Sequence, residues 1–382
     1  MRRNEELSDN TAAQADAVSG EAENASFLVR RDDLTQWIWR HDAALVAANL
    51  RSGQAIVRHT RFALTSNNIT YAKLGDAIRY WNFFPARNPW GQIPVWGLGE
   101  VQHSRHPELA EGERVYGYFP MASHLVLTPD RVKAASFIDA TPHRAELPAT
   151  YNEYARIDRD GAYDHARPDQ HLVLRPLFSL SFFLAAYLTE QRMFGARQAI
   201  VSSASSKTAM GLAFLLARDN AVKLVGLTSA NNVPFVTRAG HYTDVVSYEK
   251  IETLPHDDAV FVDIAGDARV LSLVHHHLRN AIRYSARVGA THWDSDLADQ
   301  ELPGVKPEWF FTPSHILKRR QEWGSQELRL RLSQAWHAFL ADTDRWLRIA
   351  HGAGPEAIER TYQDVVGGRL PPEIARTLSF CG

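Results

Sequence analysis

The spacing of apolar positions along the chain changes near Arg175. From Phe27 to about Pro168 the apolar runs are short and irregular. Ala55-Ile-Val-Arg-His-Thr-Arg-Phe-Ala-Leu-Thr65 mixes β-branched, apolar and polar residues as a half-exposed strand does. Gly91, Pro94, Gly97 and Gly99 punctuate the next stretch, Gly112–Tyr118 reads as a turn entering a strand, and Ser123–Thr128 as another strand. Many short strands with Gly/Pro turns predict a small β-barrel or sandwich. After Arg175 the pattern predicts a helix over Leu177–Gln191, a strand Gln198–Val201, a helix Met210–Arg218, a strand Val222–Thr228 and a helix through Val236. Strands at Asp244–Tyr248 and Ala259–Asp263 follow, then a largely helical Val270–Val288. This alternation means βαβ units on a parallel sheet. Beyond Asp294 the chain is aromatic and mixed, with an amphipathic helix around Glu327–Arg348 and further structure from Tyr362.

At 382 residues the chain has room for about two domains. Lys and Arg total 42 against 44 Asp and Glu, a net charge of −2 with a pI near 6.8. That excludes the strong basic field of a dedicated nucleic-acid binder. The one cysteine, Cys381, excludes internal disulfides and multi-cysteine zinc or iron–sulfur sites. The longest uncharged apolar stretch, Pro176–Thr189, is shorter than the roughly 18 residues of a membrane span. Residues 1–26 set Arg2 and Arg3 against six acids with few large aliphatics, which predicts a disordered acidic tail, not a leader peptide. A soluble cytoplasmic protein is expected.

The strongest chemical signal lies in Ala199–Leu216: an apolar strand, a run of very small residues, a helix start. In an α/β sheet this aims backbone N–H groups and a helix N-terminus at one point, which suits a pyrophosphate. Where dinucleotide folds place glycines, Ser202, Ser203, Ala204, Ser205 and Ser206 stand here, followed by Lys207 and Thr208. Two other readings fit the same residues. Lys207-Thr208 mimics the end of a triphosphate-binding P-loop, although Val201 and Ser206 replace its glycines. A Ser-rich cap before an ordinary helix needs no ligand at all. The next strand ends Leu227-Thr-Ser-Ala-Asn-Asn232, without the carboxylate that NAD-preferring sites place on the ribose hydroxyls. Thr228, Ser229 and Asn232, with Lys207 and Arg238, therefore favour NADP(H), although Ser229 and Asn231 form a turn in either case.

Together with Leu64-Thr-Ser-Asn-Asn-Ile-Thr-Tyr71, Val95-Trp-Gly-Leu-Gly-Glu-Val101, Gly112-Glu-Arg-Val115, Ala239–Tyr248 and Asp263-Ile-Ala-Gly266, this segment resembles the medium-chain dehydrogenase/reductase superfamily, on its zinc-free quinone-oxidoreductase-like side. The chain is most similar to a subfamily described only as a domain of unknown function, marked by Ser202-Ser-Ala-Ser-Ser-Lys-Thr208. The resemblance covers Phe27–Leu378 and implies an α/β fold: a GroES-like β-rich catalytic domain plus a Rossmann doubly wound parallel sheet. The implied boundaries are 27–170 for the catalytic domain, 171–315 for the Rossmann domain and 316–382 for a helical segment returning to the catalytic domain.

The resemblance also implies an activity: NADPH-dependent hydride transfer to an enone, an enoyl thioester or a quinone. Zinc-free enoyl reductases of this superfamily use a tyrosine shortly after an Asn motif. Tyr80 holds that place after Asn68, Tyr71 lies inside the motif, and Asn68 is the polar orienter. Each tyrosine reads equally well as a core residue with a satisfied hydroxyl. On the cofactor side Tyr242 and Tyr248 would flank the adenosine, Gly289, Thr291 and Phe311 would face the nicotinamide, and Gly266 would also contact the cofactor. A homodimer is implied, with a small-molecule substrate and neither nucleic acid nor membrane as partner.

No metal is expected. Glu100, His103 and His106 read better as surface loop residues than as ligands, and consecutive His275, His276 and His277 on a helix point about 100° apart. Two rivals remain: a non-catalytic NADP(H)-binding sensor or accessory protein, and an ATP-using enzyme acting through Lys207-Thr208.

Overall fold

The computed structural model describes residues 23–77, 79–218, 222–288 and 301–381. Three strands open the described chain: β1 (Asn24–Arg30), β2 (Trp37–Asp42) and β3 (Ala55–Ala63). Strand β1 takes in Asn24, Ala25 and Ser26, which the charge pattern assigns to the tail, because their backbone pairs with Asp42, His41 and Arg40 of β2. The rest of the expected tail lies outside the described residues, apart from Glu23.

The β-rich part continues through α1 (Ser66–Lys73), β4 (Trp90–Gly91), β5 (Pro94–Ser104), β6 (Arg114–Pro120), β7 (His124–Leu127), β8 (Pro129–Asp130), β9 (Ser136–Asp139) and β10 (Glu153–Arg156). Helix α2 (Pro168–Glu190) then leads into β11 (Gln198–Val201), α3 (Lys207–Ala217), β12 (Lys223–Thr228), α4 (Val233–Ala239), β13 (Asp244–Ser247), β14 (Ala259–Asp263), α5 (Ala268–Leu278), β15 (Ile282–Arg287) and β16 (Glu308–Trp309). The described chain closes with α6 (Thr312–Trp323), α7 (Ser325–Thr343), β17 (Arg348–Ala353), α8 (Pro355–Val366) and β18 (Ile374–Ser379).

Strands β11 to β16 form one parallel sheet in the order β13-β12-β11-β14-β15-β16. This is the dinucleotide-fold order, and it reverses direction between β11 and β14. Residues 198–201 are buried throughout, as strands covered on both faces are. The larger sheet runs β17-β18-β3-β5-β6-β10-β9-β8, with β7 also on β3, and a small sheet β2-β1-β4 stands apart from it. The chain thus returns after the parallel sheet to add β17 and β18 beside β3.

One expectation fails here. Val270–Val288 is not one helix: α5 ends at Leu278, Arg279 takes φ 47°, and residues 282–287 form a strand paired to β14. Val270, Leu271, Val274, Leu278 and Ile282 keep a three-to-four-residue apolar spacing straight across that break, so the helical period reads on into the strand.

Helix α2 lies between the two units. Its Leu172, Val173, Phe178 and Phe182 share a core with Leu98 and Tyr116 of the larger sheet and with Met210 and Leu212 of α3. By length and hydropathy (1.6 over its most apolar window) this helix would pass for a membrane span, but that surface is spent on the core between sheets.

Candidate functional site

Strand β11 ends where the parallel sheet changes direction, and the turn after it is held from three sides. Ser202 Oγ donates to Asp263 Oδ1 (2.8 Å) and accepts from the N–H groups of Ile264 and Ala265 (both 2.9 Å), so it clasps β11 to the end of β14. Ser203 takes φ 51°, the left-handed conformation that glycine adopts without strain, and its N–H donates to Tyr248 Oη (2.9 Å). The Ala204 N–H donates to Leu227 O on β12 (2.9 Å). Ser206 caps α3: its Oγ accepts from the Ala209 N–H (3.2 Å).

After these bonds are drawn, the N–H groups of Ser205, Lys207 and Thr208 have no acceptor among the described residues. Thr228 Oγ1 (3.3 Å) and Asn232 Nδ2 (3.1 Å) both donate to Ser205 Oγ. Both lone pairs are then used, and the Ser205 O–H itself is left to donate. A patch of donors at the start of an eleven-residue helix attracts an anion through its N–H groups and through the helix dipole. The chain supplies the small side chains that let a diphosphate reach them, so these residues fit a dinucleotide phosphate.

Lys207 does not join this patch. Its ammonium donates to the carbonyls of Pro372 (3.0 Å) and Ile374 (3.2 Å) at the start of β18, and burial pushes it down to about 8 against the opposing pull of Glu373. Tyr242 sits under the turn with its hydroxyl on Ala209 O (3.2 Å), and burial pushes its phenol well above the usual range. Burial likewise pushes Tyr248 up to about 12, so it stays neutral. Gly266, at φ 61°, donates its N–H to Asp263 (3.1 Å). Ser229 is half-buried at the end of β12, whereas Arg238 is exposed on α4 and Phe311 is 57% exposed ahead of α6. Gly289 and Thr291 lie outside the described residues.

A second feature lies where α2 crosses the larger sheet. Thr65, Asn67, Tyr71, Trp96, Leu172 and Leu177 line a crevice with about 20 Å³ of free volume, room for about one water. Tyr118 also reaches it, and Tyr151 packs on Tyr118 and Trp96 with ring centroids 4.9 and 6.0 Å away. The expected catalytic residues divide here. Tyr80 is 2% exposed; its hydroxyl accepts from Tyr118 Oη (2.6 Å) and donates to Pro94 O (3.2 Å), and burial pushes its phenol well up. Asn68 is consumed locally, its Oδ1 accepting from Thr65 N (2.9 Å) and Thr65 Oγ1 (3.0 Å) while its Nδ2 donates to Pro94 O (2.9 Å). Tyr71 lines the crevice.

A roomier cleft of about 380 Å³ opens at the N-terminal end of α2, but its charges are already matched: Arg61 with Asp169 (2.8 Å), Arg114 with Asp158, Glu100 with Arg58 (3.2 Å). Among the described residues no three His, Cys, Asp or Glu side chains converge on a point. His103 faces Glu111 (3.7 Å) instead of His106.

Asp263 is the residue that reading motifs leaves out of the site. It is 1% exposed, and burial raises its carboxyl to about 6 despite the bonds from Ser202 and Gly266. Its signal in sequence was an acid closing an otherwise apolar strand, Ala259-Val-Phe-Val-Asp263. Tyr118 and Tyr151 give no such signal, because only the sheet brings them to Trp96.

A β-rich unit interrupted by a parallel sheet with the dinucleotide strand order is the fold of the medium-chain dehydrogenases and reductases. The structure superposes on a proposed NADPH:quinone reductase from Mesorhizobium loti with TM-score 0.60 at 10% identity, covering 95% of this chain and 100% of that one. CurA from Vibrio vulnificus in complex with NADPH gives 0.56 at 11% identity, over 91% and 94%. A mutant enoyl thioester reductase from Candida tropicalis gives 0.54 at 12%, over 94% and 100%. No curated protein matches the sequence. Within that fold the chain belongs to the family described as "Protein of unknown function (DUF2855)", whose profile matches residues 62–371.

Proposed function

We propose that this protein is an NADPH-dependent reductase that delivers hydride to an activated C=C or to a quinone without zinc. The observation that carries the reading is the donor set of Ser205, Lys207 and Thr208 amides, unpaired among the described residues, at the reversal point of a parallel sheet. The lack of a carboxylate at the end of β12, with the Ser229 and Asn232 side chains there instead, supports NADPH over NADH. Structures of the same fold bind the same cofactor: CurA is complexed with NADPH, and another solved relative with NADP and crotonyl-CoA.

When bound, the nicotinamide supplies the hydride. The remaining work falls to the chain. Ser205 O–H and the three amides hold the phosphates, while Ser202 and Asp263 fix the turn. In the crevice, Trp96 and Leu177 exclude water and orient a flat acceptor. Hydride addition to a conjugated carbonyl puts negative charge on the far oxygen, and a neutral phenol meets it by donating a proton. Of the two expected tyrosines, Tyr71 suits this: it lines the crevice and accepts from Tyr151, which leaves its own O–H to donate, whereas Tyr80 spends its O–H on Pro94 O. A cytoplasmic homodimer belongs to the same reading. Trp309 in edge strand β16 and Phe311 just after it, 48% and 57% exposed, favour association there.

The test is NADPH oxidation against a panel of enones, enoyl-CoA thioesters and quinones, with cofactor affinity for NADPH and NADH read by fluorescence quenching. Turnover with NADPH preferred is the expected result. The narrowness of the crevice favours one alternative, a non-catalytic NADP(H) sensor, which predicts stoichiometric NADPH binding and no turnover on any acceptor.

A further inference from the structure

The cation next to the phosphate turn faces the other way, toward the start of β18. We propose that Lys207 is a positioning residue that clamps the phosphate turn to the returning strand β18, and is not a ligand of the phosphates. Two of its three ammonium protons are committed to the carbonyls of Pro372 and Ile374. Charge-assisted bonds of this kind are the strong ones, and they offset the cost of burying the amine.

What the clamp joins gives it a consequence. Strand β18 pairs with β3, Thr377 opposite Ala63 and Leu378 opposite Phe62, and the Leu64 N–H reaches Arg376 O (3.4 Å). Ala63 and Thr65 then line the crevice that holds Tyr71. On the other side, Ser181 Oγ of α2 donates to Thr208 O (2.8 Å), one residue beyond the lysine. A rigid path therefore runs from the turn through Lys207, Pro372–Ile374 and β18 to the crevice wall. On the reading that NADPH lies against Ser205–Thr208, this path sets the distance between the nicotinamide and the acceptor.

Three measurements on Lys207→Met and Lys207→Arg decide it. In the unliganded protein, the methionine variant should speed hydrogen exchange in peptides covering 203–210 and 372–379 together, and unchanged exchange there overturns the clamp. Binding of 2′-phospho-ADP-ribose, which keeps every phosphate but lacks nicotinamide, should stay within about twofold, because the amides are intact. A loss of about tenfold or more, the size expected for deleting a charged hydrogen-bond donor, would make Lys207 a phosphate ligand instead. At saturating NADPH the rate of hydride transfer should fall about tenfold in Lys207→Met, with partial recovery in Lys207→Arg. Failure of the natural protein to bind NADPH would defeat the proposed function alone, since the exchange measurement judges the clamp without cofactor.

Discussion

Tyr71 and Tyr80 stand 5.2 Å apart, ring to ring, and their hydroxyls are engaged differently: Tyr71 is hydrogen-bonded to Tyr151, Tyr80 to Tyr118 and Pro94 O. Tyr80 both accepts from Tyr118 and donates to Pro94 O, so its phenol is a structural joint. Tyr71→Phe should lower kcat with an enone or quinone by about 10²-fold or more at unchanged NADPH affinity, the range of a lost general acid. Tyr80→Phe should leave kcat within about threefold and lower stability by about 1–2 kcal/mol, because Tyr118 loses its acceptor. Steady-state kinetics and thermal melts separate the two; the reverse pattern would restore Tyr80 as the donor. Asp263 carries a pH signature of its own. Burial raises its folded value to about 6, above the ordinary 3.8, so the fold penalises the carboxylate. Its effect on stability is then least adverse below pH 4 and grows as pH rises through 6. Asp263→Asn keeps an acceptor for Ser202 and Gly266 and should stabilise the protein at pH 8 by about 2–3 kcal/mol. That gain should vanish near pH 4 in parallel denaturation curves.

At the level of elements, what could be read in advance was whatever has a local cause. The turn between β11 and α3 declared itself through five small residues, the last of them the N-cap serine, and the strands on either side through apolar runs of the right length. Strand β15 did not, because its apolar spacing continues that of α5 and only the pairing with β14 overrides it. The direction of Lys207 was equally hidden: a lysine after a phosphate turn looks like a phosphate ligand until β18, some 165 residues later, supplies two carbonyls. Asn68, legible as part of a motif, turned out to serve the start of α1. One element-scale requirement is a glycine that no motif marks. A Cβ on Gly226 of β12 would come 2.9 Å from the Ala204 Cβ and 3.0 Å from the Tyr242 ring. Gly226→Ala must therefore push the turn off the sheet. NADPH affinity should weaken about tenfold or more with a destabilisation of about 1–3 kcal/mol, typical of overpacking. Titration and melting curves on the same sample check both, and an unchanged affinity would mean that the turn tolerates displacement.

For the whole molecule, the crevice of about 20 Å³ is the governing fact, since a substrate larger than water enters only if α2 and the larger sheet separate. One tie on α2 sits at the end of α7. Arg167, just before α2, pairs with Asp344 (2.6 Å), and Asp342 takes Trp346 Nε1 (3.0 Å) while His241 of the parallel-sheet unit lies 2.8 Å away. Burial would raise the Asp342 carboxyl, but His241, Trp346 and Arg345 outweigh it and hold the group below its ordinary value. A carboxylate lowered on folding contributes stability above its unfolded value that is lost as pH falls through the folded one. Asp342→Asn should therefore melt earlier at pH 7, by about 1–3 kcal/mol in stability, with the deficit shrinking toward pH 3. Because Arg167 ties the start of α2 to Asp344, two residues beyond Asp342, loosening this end of α7 should also speed hydrogen exchange along Pro168–Glu190 and lower KM for bulky acceptors. A deficit that persists undiminished at pH 3 would assign the joint to the packing of Trp346, which is 6% exposed with its ring 6.1 Å from that of Phe339, instead of to the carboxylate.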